Sequence, residues 1–226
     1  MTRPARSRPS PGLSLVELLV GLAAGLTVVS IALLAWAQQV RETRQLLLET
    51  QLMQALRTTT DLMTRNLRRA GHWAAATDGV WQGESSLLKA NPHSLTAVTP
   101  QEVNFSRTPP GTAEPEPVDQ GRLGYRLRQG VVEMRIGLGT WQAMTDPGRL
   151  VVTEMTLGSE VLGEPLSRLC AQACPVDAGS SCPPRQDVKR IALTLRAASA
   201  RDPSVTRELR SAVRLRNDTL SGSCAG

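Results

Sequence analysis

From Leu13 to Ala37 the chain carries a single charge, Glu17. That run is long enough to cross a bilayer as a helix, which takes about 20 predominantly apolar residues. A backbone in hydrocarbon must satisfy its own hydrogen bonds, so helix is the local structure the run can adopt there. A carboxylate inside such a segment is costly, and Glu17 is therefore read first as a functional residue. Arg3, Arg6 and Arg8 precede the run together with Pro11-Gly12, and no acidic residue does. The positive-inside rule then places the N-terminus in the cytoplasm and the rest of the chain beyond the inner membrane.

The arrangement of a basic leader, Gly12-Leu13-Ser14-Leu15-Val16-Glu17 and an apolar run resembles the class III signal of the type IV prepilin superfamily. In that family a short leader is cut after glycine, and glutamate is the fifth mature residue. Leu13 departs from the pattern, because pilins usually have phenylalanine at the first mature position. The resemblance implies that prepilin peptidase cuts between Gly12 and Leu13 and that Leu13 becomes the N-methylated terminus. It also implies that Glu17 meets the terminal amine of a pilin during assembly. Two other readings exist: an uncleaved membrane anchor, and an ordinary secretory signal cut at Ala35-Trp36-Ala37 to release a domain from Gln38. Against the second, the run exceeds an h-region of about 7–15 residues and contains Glu17.

The whole sequence of 226 residues suffices for a membrane helix and one compact domain. Its net charge is +6, and loss of the leader removes three arginines and no acids, leaving +3. An oxidising compartment favours disulfides for Cys170, Cys174, Cys182 and Cys224. Four cysteines allow three pairings, and their order does not choose among them. Zinc is the runner-up, but Cys-x3-Cys-x7-Cys with a distant fourth is no standard ligand spacing. The basic excess is arginine, with Lys89 and Lys189 the two lysines, and aromatics make up 3%. Nucleic-acid binding, which wants basic patches with stacking aromatics, is not indicated.

No proline occurs between Pro11 and Pro92, so the helix need not stop at the membrane surface. Val40, Leu47, Leu48, Leu52, Leu56, Met63, Leu67 and Ala70 recur mostly at spacings of three, four or seven among polar residues. This pattern predicts an amphipathic continuation to about Ala70, a helix of about 87 Å in all. Arg68 and Arg69 suit the C-terminal dipole, and Gly71 is the expected C-cap. Gly21 and Gly25 form a small-xxx-small pair. The string Asp61 to Trp73, with its Arg-Ala-Gly finish, resembles the helix end of PilW-type minor pilins and their type II secretion relatives. The expected organisation is a leader over 1–12, a transmembrane or filament-core helix over 13–37, its amphipathic continuation over 38–71, and a β-rich periplasmic or extracellular domain over 72–226.

In that last region Ser94–Val98 and Glu102–Ser106 read as weak strands, and residues 108–120, with four prolines, as a loop. Leu123, Tyr125 and Leu127 alternate with polar residues and Gly, and Val132, Met134, Ile136 and Leu138 return after Gln129-Gly130, which predicts a hairpin. A short segment follows at Trp141, then strands over Leu150–Leu157, Ile191–Ala197 and Leu209–Leu215. Gly158–Asp187, holding three cysteines, reads as a stapled loop. Val213–Asn217 again resembles the last strand of PilW-type proteins. The fold class is α+β, pilin-like: a long N-terminal helix packed on an antiparallel sheet.

No catalytic constellation is legible. His72 and His93 are too far apart for HExxH, and there is neither a Gly-x-Ser-x-Gly elbow nor a Walker A loop. Glu114 and Glu116 sit in the proline-rich loop as solvated carboxylates. No cofactor and no metal is expected, and an enzyme is the least supported class. The resemblance implies a minor pilin of a type IV pilus, acting in its assembly and initiation and through it in twitching, adhesion or DNA uptake. Its partners would be prepilin peptidase, other minor and major pilins, the inner-membrane assembly platform, and the bilayer before assembly. The alternatives are a J-type pseudopilin of a type II secretion system and a membrane-anchored binding module that never polymerises.

Overall fold

The computed structural model describes residues 12, 14–79, 89–94, 96–109, 119–175 and 182–224. Contacts divide the chain into two compact units, residues 1–47 and 48–226. Helix α1, Leu15–Leu67, supplies the described structure of the first unit and enters the second. In the first unit it is exposed on every side over residues 15–39, as a helix that is apolar all round must be when its partners are absent. In the second unit one stripe goes under: Leu52, Leu56, Thr59, Thr60, Met63 and Leu67.

Among the described residues nine strands belong to the second unit. β1 (Thr96–Thr99), β2 (Glu102–Ser106), β3 (Arg122–Arg128), β4 (Val131–Ile136) and β5 (Gln142–Ala143) form an antiparallel meander in chain order. β6 (Leu150–Pro165), β7 (Arg185–Ser199) and β8 (Thr206–Arg214) form a second antiparallel sheet, with β9 (Thr219–Ser221) also paired to β7. The strands thus divide into two sheets where the pattern predicts one. The break falls after β5, where the chain turns and Leu150 N–H donates to Asp146 O at 3.1 Å. The α1 stripe, Val103, Phe105, Tyr125 and Val132 from the first sheet, and Met155, Ile191, Leu193, Leu195 and Val213 from the second share one core.

The β3–β4 hairpin turns where predicted. Gln129 and Gly130 both have positive φ, 49° and 77°, as a two-residue turn matched to strand twist requires. The reading of Gly158–Asp187 as a loop is corrected. β6 continues to Pro165 and β7 starts at Arg185, so the loop is confined to the residues between them. Residues 158–165 are exposed on both faces. No buried face imposes an apolar alternation there, and pairing with β7 alone makes the strand.

Helix α1 ends at Leu67, three residues before the expected Ala70. The turn tightens there, with Arg69 N–H donating to Asn66 O at 3.0 Å and Ala70 N–H to Leu67 O at 2.9 Å. Gly71 then reverses the chain at φ 74°. Its N–H donates to Ser106 O at 2.9 Å.

Of the three pairings open to the cysteines, the structure has Cys170–Cys224 and Cys174–Cys182, with Cα separations of 5.3 and 5.6 Å. The first ties the segment after β9 to the end of β6 across 54 residues of sequence, the second closes 8.

Loop-closure entropy assigns about 4 kcal/mol to the longer bridge and about 2.5 kcal/mol to the shorter. Denaturant unfolding should therefore place the Cys170→Ser/Cys224→Ser variant below Cys174→Ser/Cys182→Ser in stability. Gly71→Ala should cost about 1–2 kcal/mol, because a side chain is disfavoured at that φ, and the same titration reads it.

Candidate functional site

Two regions carry the features singled out in the sequence. Glu17 lies in the first turn of α1, exposed, where Leu18 N–H donates to Ser14 O at 3.1 Å. The hydroxyls of the same segment are satisfied internally: Thr27 Oγ1 donates to Ala23 O at 2.8 Å and Ser30 Oγ to Leu26 O at 2.7 Å. That is how such groups enter hydrocarbon without an unpaired donor. Glu17 has no hydrogen bond or ion pair among the described residues. Gly12 is described and exposed, while Leu13 and residues 1–11 of the leader lie outside the described residues. A Cβ at Gly21 or Gly25 would meet nothing within 4 Å, so that side of the helix is open to close approach. The helix is long and apolar enough to cross a membrane.

The second region is where the two strings resembling PilW-type proteins meet. Arg216 N–H donates to Arg68 O at 3.1 Å, and Asn217 Nδ2 to Ala70 O at 2.9 Å. Asn91 Nδ2 donates to Gly71 O at 2.8 Å, and Thr108 N–H to His72 O at 2.8 Å. The carbonyls of the turn that follows the helix, Arg68, Ala70, Gly71 and His72, are therefore taken by the residues just past β8 and by loop residues. The Arg-Ala-Gly finish and Val213–Asn217 are two halves of one joint. Asn91 and Asn217 are the residues sequence reasoning missed, since an isolated asparagine in a loop announces nothing.

His93 also went unremarked except as half of a failed metal pair. It is 4% exposed, with Nδ1 3.0 Å from Ser106 Oγ and Nε2 3.4 Å from Thr108 Oγ1. Burial lowers its pKa, and the nearby His72 lowers it further. Nearby, Tyr125 is fully buried and accepts from Asn66 Nδ2 at 2.6 Å. Burial raises its pKa, against which the Asn66 hydrogen bond and Arg107 act. Both residues are neutral parts of the core.

On the outer face of the first sheet Trp141 lies against Arg126 and Arg135, their Cζ atoms 4.3 and 4.8 Å from its ring centre. Arg126 pairs with Glu133 at 2.7 Å, and Arg135 donates to Asn104 Oδ1 at 2.9 Å. Gly124 leaves room for the ring, since a Cβ there would come within 3.0 Å of it. The arginines are thus held by protein groups. A groove of about 510 Å³ runs between Leu52, Ala55 and Thr59 of α1 and the Met144–Arg149 segment. Among the described residues no three His, Cys, Asp or Glu side chains converge where a metal ion could sit. Glu114 and Glu116 lie outside the described residues.

The family described as prepilin peptidase-dependent protein B matches residues 45–215, about three quarters of the chain. No curated protein and no solved structure matches it. The matched span begins after the apolar run, so it is independent of Gly12 and Glu17. It contains the α1 stripe, both sheets up to Leu215 and one half of the joint.

Because the folded His93 pKa lies below its ordinary value of about 6.5, the unfolded chain binds more protons near that pH. Stability should be intact at neutral pH and fall as the pH drops through the ordinary histidine value. Denaturant midpoints at a series of pH values should show this slope, and it should flatten in His93→Gln.

Proposed function

This chain belongs to the prepilin peptidase-dependent protein B family, and we propose that it is a minor pilin, anchored in the inner membrane and then built into a type IV pilus. It is a prepilin-related, pilin-like protein by family. The finer role rests on one observation: Glu17 stands five residues beyond Gly12 at the head of a helix exposed on every side over residues 15–39, with no partner among the described residues.

Before assembly, lipid covers residues 15–37. Cleavage after Gly12 creates a new terminal amine at Leu13. The amine of an incoming subunit and the Glu17 carboxylate of its neighbour form an ion pair in a place where an unpaired charge is penalised heavily. That penalty makes the pairing selective, because a subunit seated out of register leaves both charges buried and alone. Gly21 and Gly25 permit the helices to approach closely while this happens. The second unit contributes no step of chemistry in this reading. It displays its two sheets outside, stapled by the disulfides after export. Prepilin peptidase and other pilins are the partners this function requires.

Mass spectrometry of the protein from native membranes tests the reading. The expected species begins at methylated Leu13, and an uncut Met1 terminus or a start near Gln38 would overturn it. Glu17→Ala should still be cut to the same terminus, yet be lost from sheared filaments. Recovery of that variant in filaments at the wild-type level would remove Glu17 from assembly.

A further inference from the structure

Among the described residues the second sheet ends in two open edges, and they match one another. Its outer strands β6 and β8 are both antiparallel to β7 and hence parallel to each other. The β6 edge is closed as far as Leu157, with Val152 N–H donating to Gly130 O at 2.8 Å and Leu157 N–H to Pro100 O at 2.9 Å. Backbone groups point alternately to the two sides of a strand, so the next groups on that edge belong to Ser159, Val161 and Gly163. Among the described residues their one contact from outside the ladder is a long one, Arg185 Nη2 to Gly163 O at 3.4 Å. Pro165 has no N–H and ends the edge. On β8, Val213 faces the core and belongs to the residues turned toward β7, as Leu215 N–H does in donating to Lys189 O at 2.9 Å. Glu208, Arg210, Ala212 and Arg214 therefore turn their backbone groups outward.

The side chains follow the same alternation. Leu157 is buried, so Glu160, Leu162 and Glu164 stand on the outer face of β6. Arg210, Ala212 and Arg214 stand on the outer face of β8. One open edge thus reads acidic, apolar, acidic and the other basic, small, basic. Val161 and Leu162 are each 53% exposed, an apolar surface at an unpaired edge of the kind natural proteins usually cover or pair.

We propose that a second copy of this chain adds its β6 edge to β8 of the first, strands parallel, with Glu160 beside Arg210, Leu162 beside Ala212 and Glu164 beside Arg214. The backbone parity fits this arrangement. Arg210 N–H would donate to Ser159 O, Val161 N–H to Arg210 O, Ala212 N–H to Val161 O and Gly163 N–H to Ala212 O. Antiparallel pairing would set side chains on opposite faces against each other unless one copy were flipped. Copies anchored in one membrane share an orientation, and only in this respect does the inference rest on the proposed anchoring. Within one sheet Glu160 is level with Arg214, through Arg190. The joined copies are therefore displaced by four residues, about 13 Å at about 3.3 Å per residue. Arg210 and Arg214 already meet Glu208 at 2.5 Å and Asp218 at 2.8 Å. Each remains exposed enough to accept a second carboxylate. The contact is head-to-tail and leaves a free β6 and a free β8 at the ends, so it can propagate.

The test uses the full-length chain in native membranes. Leu162→Cys with Ala212→Cys, mildly oxidised, should give a ladder of dimers and higher species on a non-reducing gel, and either substitution alone should give none. Val161→Pro in the same background removes an N–H that no bond among the described residues uses. It should abolish the ladder while protease resistance stays unchanged. Glu160→Arg with Glu164→Arg should weaken the ladder, and adding Arg210→Glu with Arg214→Glu should restore it. Absence of the ladder from the folded double-cysteine chain, or its survival in Val161→Pro, would overturn the pairing. The terminus measured on the same sample separates the two proposals. A mature chain without a ladder sinks only the edge pairing, whereas an uncut chain with a ladder sinks only the pilin assignment.

Discussion

Leu56, Met63 and Leu67 lie on one stripe of α1 with essentially no exposure, and both sheets are built against that stripe. Burying such side chains is worth about 1.5–3 kcal/mol each. The first sheet contributes Val103, Tyr125 and Val132 to this core, the second Ile191, Leu193 and Leu195. The hydrogen-bonded joint at Ala70–Gly71 and Arg216–Asn217 then fixes where the helix stops relative to the end of β8. The residues that take the Arg68 and Ala70 carbonyls, Arg216 and Asn217, directly follow Val213 and Leu215 of the core.

The first unit obeys the opposite rule. Over residues 15–39 its part of the helix presents apolar side chains on every face, and they stay exposed. A surface of that kind is stable in lipid or among other helices and nowhere else. Glu17 makes sense in the second setting, where a neighbour can bring an amine. One continuous helix thus joins a part that needs partners from outside to a part that supplies its own. The family match begins at residue 45, after the apolar run.

Legibility in the sequence followed burial. The α1 stripe, the β3–β4 hairpin with its Gln129-Gly130 turn, and the inner stretches of β7 and β8 were readable because a buried face imposes a period. Residues 158–165 were taken for loop because they are exposed on both faces, so no period marks them as strand. β9, three residues long with Leu220 partly exposed, was invisible for the same reason. Leu47 fits the helical period yet stays exposed, whereas Thr59 and Thr60 do not stand out by hydropathy and are buried. Asn91, Asn217, His93 and the Gly124–Trp141 contact depend on residues far apart in the chain, and no local pattern encodes them.

By itself, then, the sequence determined whatever follows from local chemistry: an apolar helix with one carboxylate, its amphipathic continuation, a glycine stop, alternating strands, and cysteines suited to oxidation. Tertiary structure decided what depends on which distant groups meet. It divided the strands between two sheets and paired Cys170 with Cys224 and Cys174 with Cys182. It brought the helix end onto Asn217, and it left the edges of β6 and β8 open. The physical reason is the same in each case. Periodicity records which face of an element is buried, while hydrogen bonds, disulfides and sheet edges record what that element is buried against.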